Sequence, residues 1–198
     1  RAALARASAQ HGTRGGDIDY ALLLDGLEAE REQGITIDVA WRHLETSARR
    51  FLIADCPGHV QYTRNMATGA SVADLGILLV DATKGLLPQT FRHTAILSLF
   101  GIRYVLLAVN KMDRVNHDPA IFDTIVEAYR EHAVRLGIAH VTCIPVAAAL
   151  GDNITTRSNA MPWYTGPSVL EHLETVCIQP LSHDAHACLP LQSVLRDA

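Results

Sequence analysis

One polar motif stands directly after a short apolar run and has residue types that can bind a metal ion and approach a phosphate. Residues 51–54 are mostly apolar, and they are followed by Asp55, Cys56, Pro57, Gly58 and His59. A carboxylate at the carboxyl end of a strand can hold a nucleotide-bound Mg²⁺ ion, and the N–H of a glycine can approach a phosphate closely. The same residues also suit a plain turn after a strand, and the motif alone leaves the two interpretations even.

A second polar motif ends another apolar run. Residues 104–109 are followed by Asn110, Lys111, Met112 and Asp113. An aspartate can accept hydrogen bonds from both the ring N–H and the exocyclic amine of guanine, a donor pair that adenine lacks. Asn110 can tie neighbouring loops together and reach the base, while the stem of Lys111 can lie over its face. One strand–helix unit separates this motif from Asp55, so we expect both at the same edge of one sheet, where they would form a guanine-nucleotide site.

A third segment, residues 30–38, combines a charged helix end with Gly34 and Thr36. The Thr36 hydroxyl can coordinate Mg²⁺ while its backbone N–H meets a γ-phosphate, which would make the segment a nucleotide-sensing switch. Taken alone, Thr36 is better explained as a β-branched residue that begins an edge strand.

Alternating apolar and helical patterns predict an α/β fold with a mostly parallel sheet flanked by helices. Strands are predicted at residues 51–54, 75–80, 104–109 and 141–146, and the middle two are apolar enough to be covered on both faces. Helices are predicted at residues 20–33, 89–100, 119–136 and 167–176. Residues 35–45 and 49–54 are expected to form one antiparallel edge pair around a turn at residues 46–48.

The composition restricts the classes of partner. The hydrophobic share of 48% is enough to form a core. With a net charge of -4, the chain lacks the excess of basic residues that is typical of DNA-binding proteins. The same charge is only a weak argument against an RNA partner. No apolar run is long enough to span a membrane. Without a signal peptide or a C-x-x-C pair, a cytoplasmic protein with reduced thiols is predicted; its cysteines are Cys56, Cys143, Cys177 and Cys188.

Together, the three motifs resemble the switch and guanine-recognition motifs of translation-factor GTPases. Residues 25–40, 61–71 and 161–167 narrow the resemblance to the GTPase subunits of bacterial sulfate adenylyltransferase (ATP sulfurylase), and the likeness runs from about His11 to the end of the chain. The resemblance implies a P-loop NTPase-like fold, with GTP and Mg²⁺ as cofactors. It also implies that GTP hydrolysis drives the synthesis of adenylyl sulfate from ATP and sulfate in sulfate assimilation.

The same resemblance implies a catalytic ATP sulfurylase subunit as partner, in a heterodimer or a higher assembly, and in some relatives a fused or associated adenylylsulfate kinase. A translation elongation factor-like GTPase that delivers aminoacyl-tRNA shares every nucleotide motif. That alternative therefore stays open at this stage.

Residue by residue, the resemblance assigns Thr36 and Asp55 to Mg²⁺, Gly58 to the γ-phosphate and His59 to the attacking water as the catalytic residue. Cys56 and Pro57 are the other GTP-binding residues of the motif at residues 55–59, and Asn110, Lys111, Met112 and Asp113 form the guanine loop. The family's third guanine contact is a Ser-Ala-Leu triplet, and here the matching stretch is Ala147, Ala148 and Ala149, of which Ala147 and Ala148 are assigned to the nucleotide. The serine hydroxyl is lost, while the Ala148 N–H is still expected to reach the guanine oxygen.

The family's phosphate-binding loop, G-x-x-x-x-G-K-[ST], does not occur in the sequence, and in the family it lies before the present Arg1. Without the backbone cradle, the phosphate lysine and one Mg²⁺ ligand of this loop, we expect the 198-residue chain alone to bind GTP poorly and to be inactive. Residues 1–177 are predicted to be the GTPase domain, truncated at its N-terminus.

Two further clusters receive a structural interpretation. Residues 178–198 are predicted to be a linker and the first strand of a β-barrel domain. The histidines and cysteine of this segment, His183, His186 and Cys188, fit a polar linker better than a metal site. The aromatic residues Trp41, Trp163 and Tyr164 are expected to serve packing or a partner surface rather than a cofactor.

Overall fold

The computed structural model describes residues 36–179. We number the regular elements in chain order: β1 (Ala40–Glu45), β2 (Arg50–Asp55), α1 (Thr63–Ala70), β3 (Leu75–Asp81), α2 (Pro88–Leu99), β4 (Tyr104–Asn110), α3 (Pro119–Arg135), β5 (His140–Pro145) and α4 (Val169–Thr175). Short 3-10 turns lie at Val60–Tyr62 and Met112–Val115. The predicted helix at residues 20–33 and the segment with His183, His186 and Cys188 lie outside the described residues.

The strands form two sheets. β1 and β2 make an antiparallel pair in which Ala40 faces Asp55 and Glu45 faces Arg50. β3, β4 and β5 make a parallel sheet in that order. The predicted mostly parallel sheet flanked by helices is confirmed, and the antiparallel pair is present. Within residues 36–179 no ladder joins β2 to β3, so the placement of both polar motifs at one sheet edge stays a prediction. Ladder hydrogen bonds need strands about 4.8 Å apart, so these two strands are not neighbours in one sheet.

The helices that connect the parallel strands begin and end where local signals place them. Pro88 and Pro119 occupy the first helical positions, where a missing N–H costs nothing, and the Asp118 carboxylate accepts a hydrogen bond from Ala120 N at 2.8 Å. Beyond the helix ends, Gly101 and Gly137 adopt φ values of 76° and 72°, which suit glycine. The predicted limits of α2 and α3 agree with the structure within one residue.

Burial differs between the two strands that were expected to be covered on both faces. In β4 every residue from Val105 to Val109 is buried, so the expectation is confirmed for this strand. In β3 burial alternates: Leu78 and Val80 are buried, while Ile77 and Leu79 are 41% and 67% exposed. Only one face of β3 is covered by the described residues, so the expectation is wrong for that strand within residues 36–179.

Two predicted element boundaries need correction, and one helix was missed. β1 begins at Ala40 rather than at residue 35, and the last helix begins at Val169 rather than at residue 167. Ser168 caps that helix, since its Oγ accepts a hydrogen bond from Glu171 N at 3.2 Å and its N–H donates to Glu171 Oε2 at 3.3 Å. The helix α1 was not predicted, because it is short, contains a glycine and has no capping side chain.

Among residues 36–179, no helix has the length and apolarity needed to cross a membrane.

A buried phenol and hydroxyl join α2 to α3 within the core. Tyr129 is fully buried, and its hydroxyl oxygen lies 3.3 Å from Thr94 Oγ1, which also donates to Thr90 O at 2.8 Å. Burial raises the pKa of Tyr129 to about 12, so the phenol stays neutral and its ring contributes mainly through packing.

This arrangement predicts a difference between two substitutions of Tyr129. Tyr129→Phe should lower the free energy of unfolding by about 0.5–1.5 kcal/mol, because only one neutral hydrogen bond is lost. Tyr129→Ala should cost about 3–5 kcal/mol, because it also opens a large cavity. Urea denaturation of the chain measures both, with Leu99→Ala as control, since Leu99 is 85% exposed. Equal costs for the two Tyr129 variants would contradict this account.

Candidate nucleotide-binding site

The hairpin of β1 and β2 brings two predicted metal ligands to the same end. Asp55 is the last residue of β2 and faces Ala40, the first residue of β1. Thr36 precedes Ala40 by four residues, which limits its Cα to about 14 Å from that of Ala40. Both residues offer hard oxygen donors, which suit Mg²⁺, an ion that usually takes one or two protein ligands and keeps several waters. Across residues 36–179 no cluster of three or more His, Cys, Asp or Glu offers a larger metal site.

The helix α1 links the segment that carries Thr36 to the loop that follows Asp55. Asn65 on this helix donates a hydrogen bond from Nδ2 to Ile37 O at 2.7 Å, one residue after Thr36. The helix itself follows directly from the 55–59 loop through the 3-10 turn Val60–Tyr62. The helix α1 is therefore connected to both segments.

A close contact between α1 and the loop requires a residue without a side chain. A Cβ placed on Gly69 would collide with Cys56 Sγ and touch Ala54 Cβ at 3.5 Å. The Cys56 thiol donates to Ala54 O at 3.6 Å, and burial, together with the charge of Asp55, raises its pKa to about 11. Cys56 is therefore a neutral packing residue. Pro57 is buried, whereas Gly58 is exposed, with open space where its Cβ would be.

His59 is exposed at the start of the turn Val60–Tyr62. Its Nδ1 accepts a hydrogen bond from Gln61 N at 3.4 Å, and its ring lies 6.1 Å from that of Tyr62. With Nδ1 as acceptor, the proton of the neutral imidazole resides on Nε2. In this tautomer His59 can orient a water molecule by donating a hydrogen bond to its oxygen.

Asn110 ties together the loops that follow β4 and β5. Its Oδ1 accepts hydrogen bonds from Lys111 N at 2.7 Å and from Ala148 N at 3.0 Å. Lys111 has left-handed backbone angles of φ 63° and ψ 34°, an uncommon conformation for a residue with a side chain. The Asn110 hydrogen bond supports that conformation. Contact between Asn110 and a base stays a prediction.

The other residues of the two guanine loops fall into buried and accessible groups. Met112 and Ala147 are fully buried. The Met112 side chain therefore anchors its loop in the core, and a contact of this residue with guanine stays a prediction. Asp113 remains accessible, with its side chain 26% exposed and its Oδ2 3.5 Å from Nε of Arg114. The Ala148 N–H is donated to Asn110, so contact with a guanine oxygen would share or replace that hydrogen bond.

Four residues fix the loop after β5 through side-chain hydrogen bonds and one His–Asp contact. Sequence reasoning gave these residues no role. Asn153 is buried; its Nδ2 donates to Pro145 O at 2.8 Å and its Oδ1 accepts from Ser158 N at 2.7 Å. Asp152 Oδ1 accepts from Ser158 Oγ at 2.5 Å, and its Oδ2 lies 3.7 Å from Nε2 of His117. The signal for these contacts was the polar pair that follows Gly151, next to the alanines at 147–149.

Asp81 is a further residue that sequence reasoning missed, because the predicted strand stopped at residue 80. It is the last residue of β3 and faces Asn110 across the ladder. Its carboxylate forms an ion pair with Lys111, with Oδ2 2.6 Å from Nζ. Burial alone would raise the pKa of Asp81, but hydrogen bonds from Lys111 and Thr83 outweigh it and lower the pKa to about 2. A polar residue directly after an apolar run was the signal that could have identified it.

The aromatic residues near the guanine loop serve packing. The Phe122 ring lies 5.5 Å from that of Trp163 and 6.3 Å from that of Tyr164. The indole N–H of Trp163 donates to His117 O at 2.9 Å. Trp41 lies in β1 and is 39% exposed.

The contact of Gly69 with Cys56 generates a rescue prediction. Gly69→Ala should lower the melting temperature, because the new methyl group collides with Cys56 Sγ although alanine favours a helix. Removing the sulfur in the double variant Cys56→Ala, Gly69→Ala should recover most of the loss. Ala67→Gly, also within α1, is the matched control for helix propensity alone. Failure of the double variant to recover stability would contradict the proposed collision.

The double acceptor at Asn110 generates a second prediction. Asn110→Ala should lower the free energy of unfolding by about 1–3 kcal/mol, since two backbone N–H groups lose their partner. Asn110→Asp keeps an acceptor oxygen and should cost clearly less. Chemical denaturation distinguishes the two, and equal losses would show that the side-chain oxygen is unimportant.

The fold and this arrangement can be set beside known proteins. The sequence is 58% identical over 189 residues to the bifunctional enzyme CysN/CysC of Xylella fastidiosa. That alignment covers 96% of this chain and 30% of the relative. It is 55% identical over 194 residues to sulfate adenylyltransferase subunit 1 of Bacteroides fragilis. That alignment covers 98% of this chain and 41% of the relative. The chain thus spans less than half the length of these relatives.

A structural and a family comparison agree on the fold. The crystal structure of the bacterial selenocysteine-specific elongation factor EF-Sec superposes with a TM-score of 0.61 at 25% identity, over 78% of this chain and 25% of that one. The elongation factor Tu GTP binding domain matches residues 2–182. The chain therefore belongs to the elongation factor Tu GTP-binding domain family.

Proposed function

We propose that this chain forms most of the GTP-binding domain of a subunit that couples GTP hydrolysis to the synthesis of adenylyl sulfate from ATP and sulfate. The observation that carries this proposal is the 55% identity to sulfate adenylyltransferase subunit 1 over 98% of the chain. The two loops tied by Asn110 support guanine-nucleotide binding independently, because they present Asp113 beside a rigid pair of strand ends.

In the proposed site, Asp113 accepts hydrogen bonds from the ring N–H and the exocyclic amine of guanine, and the Lys111 stem covers the base. Asn110 holds both base-reading loops in place. The Ala148 N–H approaches the guanine oxygen by sharing its hydrogen bond with Asn110. The specificity for guanine thus comes from a carboxylate whose surroundings are fixed before the ligand arrives.

At the phosphate end, Thr36 and Asp55 would hold Mg²⁺, which would neutralise charge on the phosphates when bound. The N–H of Gly58 approaches the γ-phosphate, in a loop whose shape depends on the half-buried Cys56 and the buried Pro57. His59 orients the attacking water through Nε2–H, the tautomer that the Gln61 N–H hydrogen bond favours. Loss of the γ-phosphate releases Gly58 and Thr36 together, since α1 joins their segments through Asn65.

The partner is proposed to be a catalytic ATP sulfurylase subunit, since a relative's name contains the word subunit. Joining sulfate to an adenylyl group is strongly uphill, so a second nucleotide hydrolysis supplies the missing driving force. Another relative is named a bifunctional enzyme, so that protein carries a second activity. We propose that an adenylylsulfate kinase is fused to, or associates with, the protein to which this chain belongs. We also propose that residues 1–177 form the GTPase domain, that a linker and β-barrel strand follow at residues 178–198, and that the protein is cytoplasmic.

A translation factor that delivers aminoacyl-tRNA is the second candidate. The superposition on EF-Sec, an elongation factor, favours it, although at 25% identity. The sulfate-activating relatives are 55% and 58% identical over nearly the whole chain, so they carry the proposal.

The proposal predicts that GTP turnover by the full-length protein with its catalytic partner rises when sulfate and ATP are both present. Asp113→Asn should abolish turnover of GTP and permit turnover of xanthosine triphosphate, because the asparagine amide can donate to the oxygen at C2 of xanthine. Phosphate release measures both effects. Asp123→Asn, which neutralises an exposed carboxylate on α3, is the matched control and should behave as wild type.

GTP turnover that is the same with and without sulfate and ATP would overturn the coupling. Protection of aminoacyl-tRNA by the full-length protein, with no effect of the sulfurylase partner, would support the translation factor instead.

A further inference from the structure

We propose that Asp81 is a positioning residue for guanine-nucleotide binding, which holds the Lys111 ammonium group at the strand ends where the base is read. This inference rests on the proposed function and names a residue to which that function assigns no role. Asp81 would not touch the nucleotide. It would act by fixing the side chain that does.

The sheet places Asp81 next to the guanine loop. Asp81 and Asn110 are the last paired residues of the parallel strands β3 and β4, and Ala82 N donates to Asn110 O at 2.8 Å. The carboxyl ends of these strands therefore present Asp81 and Lys111 side by side. Because the ladder continues up to this pair, the position of the Asp81 backbone relative to Lys111 is set by the sheet.

The two oxygens of the Asp81 carboxylate have different partners. Oδ1 accepts from Thr83 N at 2.9 Å and from Thr83 Oγ1 at 2.7 Å, which fixes the plane of the carboxylate. Oδ2 is 2.6 Å from Lys111 Nζ. The carboxyl side chain is only 18% exposed, so the ion pair is less screened by water than a fully exposed pair would be.

Lys111 is held at both ends but remains accessible. Its backbone N–H donates to Asn110 Oδ1, in the left-handed conformation, and its ammonium group donates to Asp81. Its side chain is nevertheless 54% exposed, so a base can lie against the stem. A free lysine side chain samples many rotamers and loses that freedom on binding. Asp81 removes part of this entropic cost before the nucleotide arrives.

The location of the pair defines the expected phenotype. Asp81 binds Lys111 of the base-reading loop, and the base is common to GDP and GTP, so loss of Asp81 should weaken both nucleotides to the same extent. The effect should also depend on Lys111. A residue that merely stabilises the fold would lower affinity whether or not Lys111 is present.

The test is a double-mutant cycle in the full-length protein, with fluorescent GDP and GTP analogues as probes. Asp81→Asn should weaken both nucleotides by about threefold to tenfold, within the range for directly coupled neighbours. In a Lys111→Gln background the same substitution should have no further effect. Thr83→Val, which keeps the carboxylate but removes one hydrogen bond to it, should give a smaller loss that also requires Lys111. Lys84→Gln, an exposed lysine of the same turn, is the matched control and should bind as wild type.

Each outcome is decisive. Equal losses from Asp81→Asn with and without Lys111 would overturn the positioning role and indicate a structural one, which a lower melting temperature of the nucleotide-free variant would accompany. Unchanged affinity in Asp81→Asn, while wild type binds normally, would overturn this inference alone. Failure of wild-type full-length protein to bind either nucleotide would overturn the proposed function and this inference with it.

Discussion

The candidate site depends on one side-chain oxygen, Oδ1 of Asn110, which accepts from two backbone N–H groups on different loops. One comes from Lys111, whose left-handed backbone needs support, and the other comes from Ala148, after β5. Loops are normally the most variable parts of a fold, so the sheet alone does not fix their relative position. By joining them, Asn110 turns the ends of two adjacent strands into a single rigid surface on which Asp113 is displayed.

The phosphate end relies on a different constraint, the close approach of α1 to the loop after Asp55. Gly69 allows the helix to lie directly on Cys56, and Asn65 extends the connection to Ile37. The helix therefore contacts both segments that were predicted to sense the γ-phosphate. A helix that packs this closely cannot move without moving the loop, so the predicted switch segments behave as one mechanical unit in the proposed mechanism.

The loop after β5 shows how a lost side chain can be tolerated. Where related GTPases are expected to have a serine, this chain has the fully buried Ala147. The loop is instead held by the Asp152, Asn153 and Ser158 side chains, whose hydrogen bonds reach back to Pro145 O at the end of β5. The Ala148 N–H thus keeps a defined direction, because backbone geometry in a braced loop does not depend on one hydroxyl group.

The sequence by itself determined the α/β class, the helices α2 and α3 and the polar motifs at the ends of apolar runs. These features depend on local signals: apolar periodicity, prolines at first helical positions and glycines beyond helix ends. Only the tertiary structure decided that β2 and β3 are not neighbours among the described residues and that one face of β3 is uncovered there. It also decided that Met112 is buried and that Asp81 reaches Lys111. Each of these depends on which distant segments meet, and residues 81 and 111 are brought together by a strand ladder that no local pattern encodes.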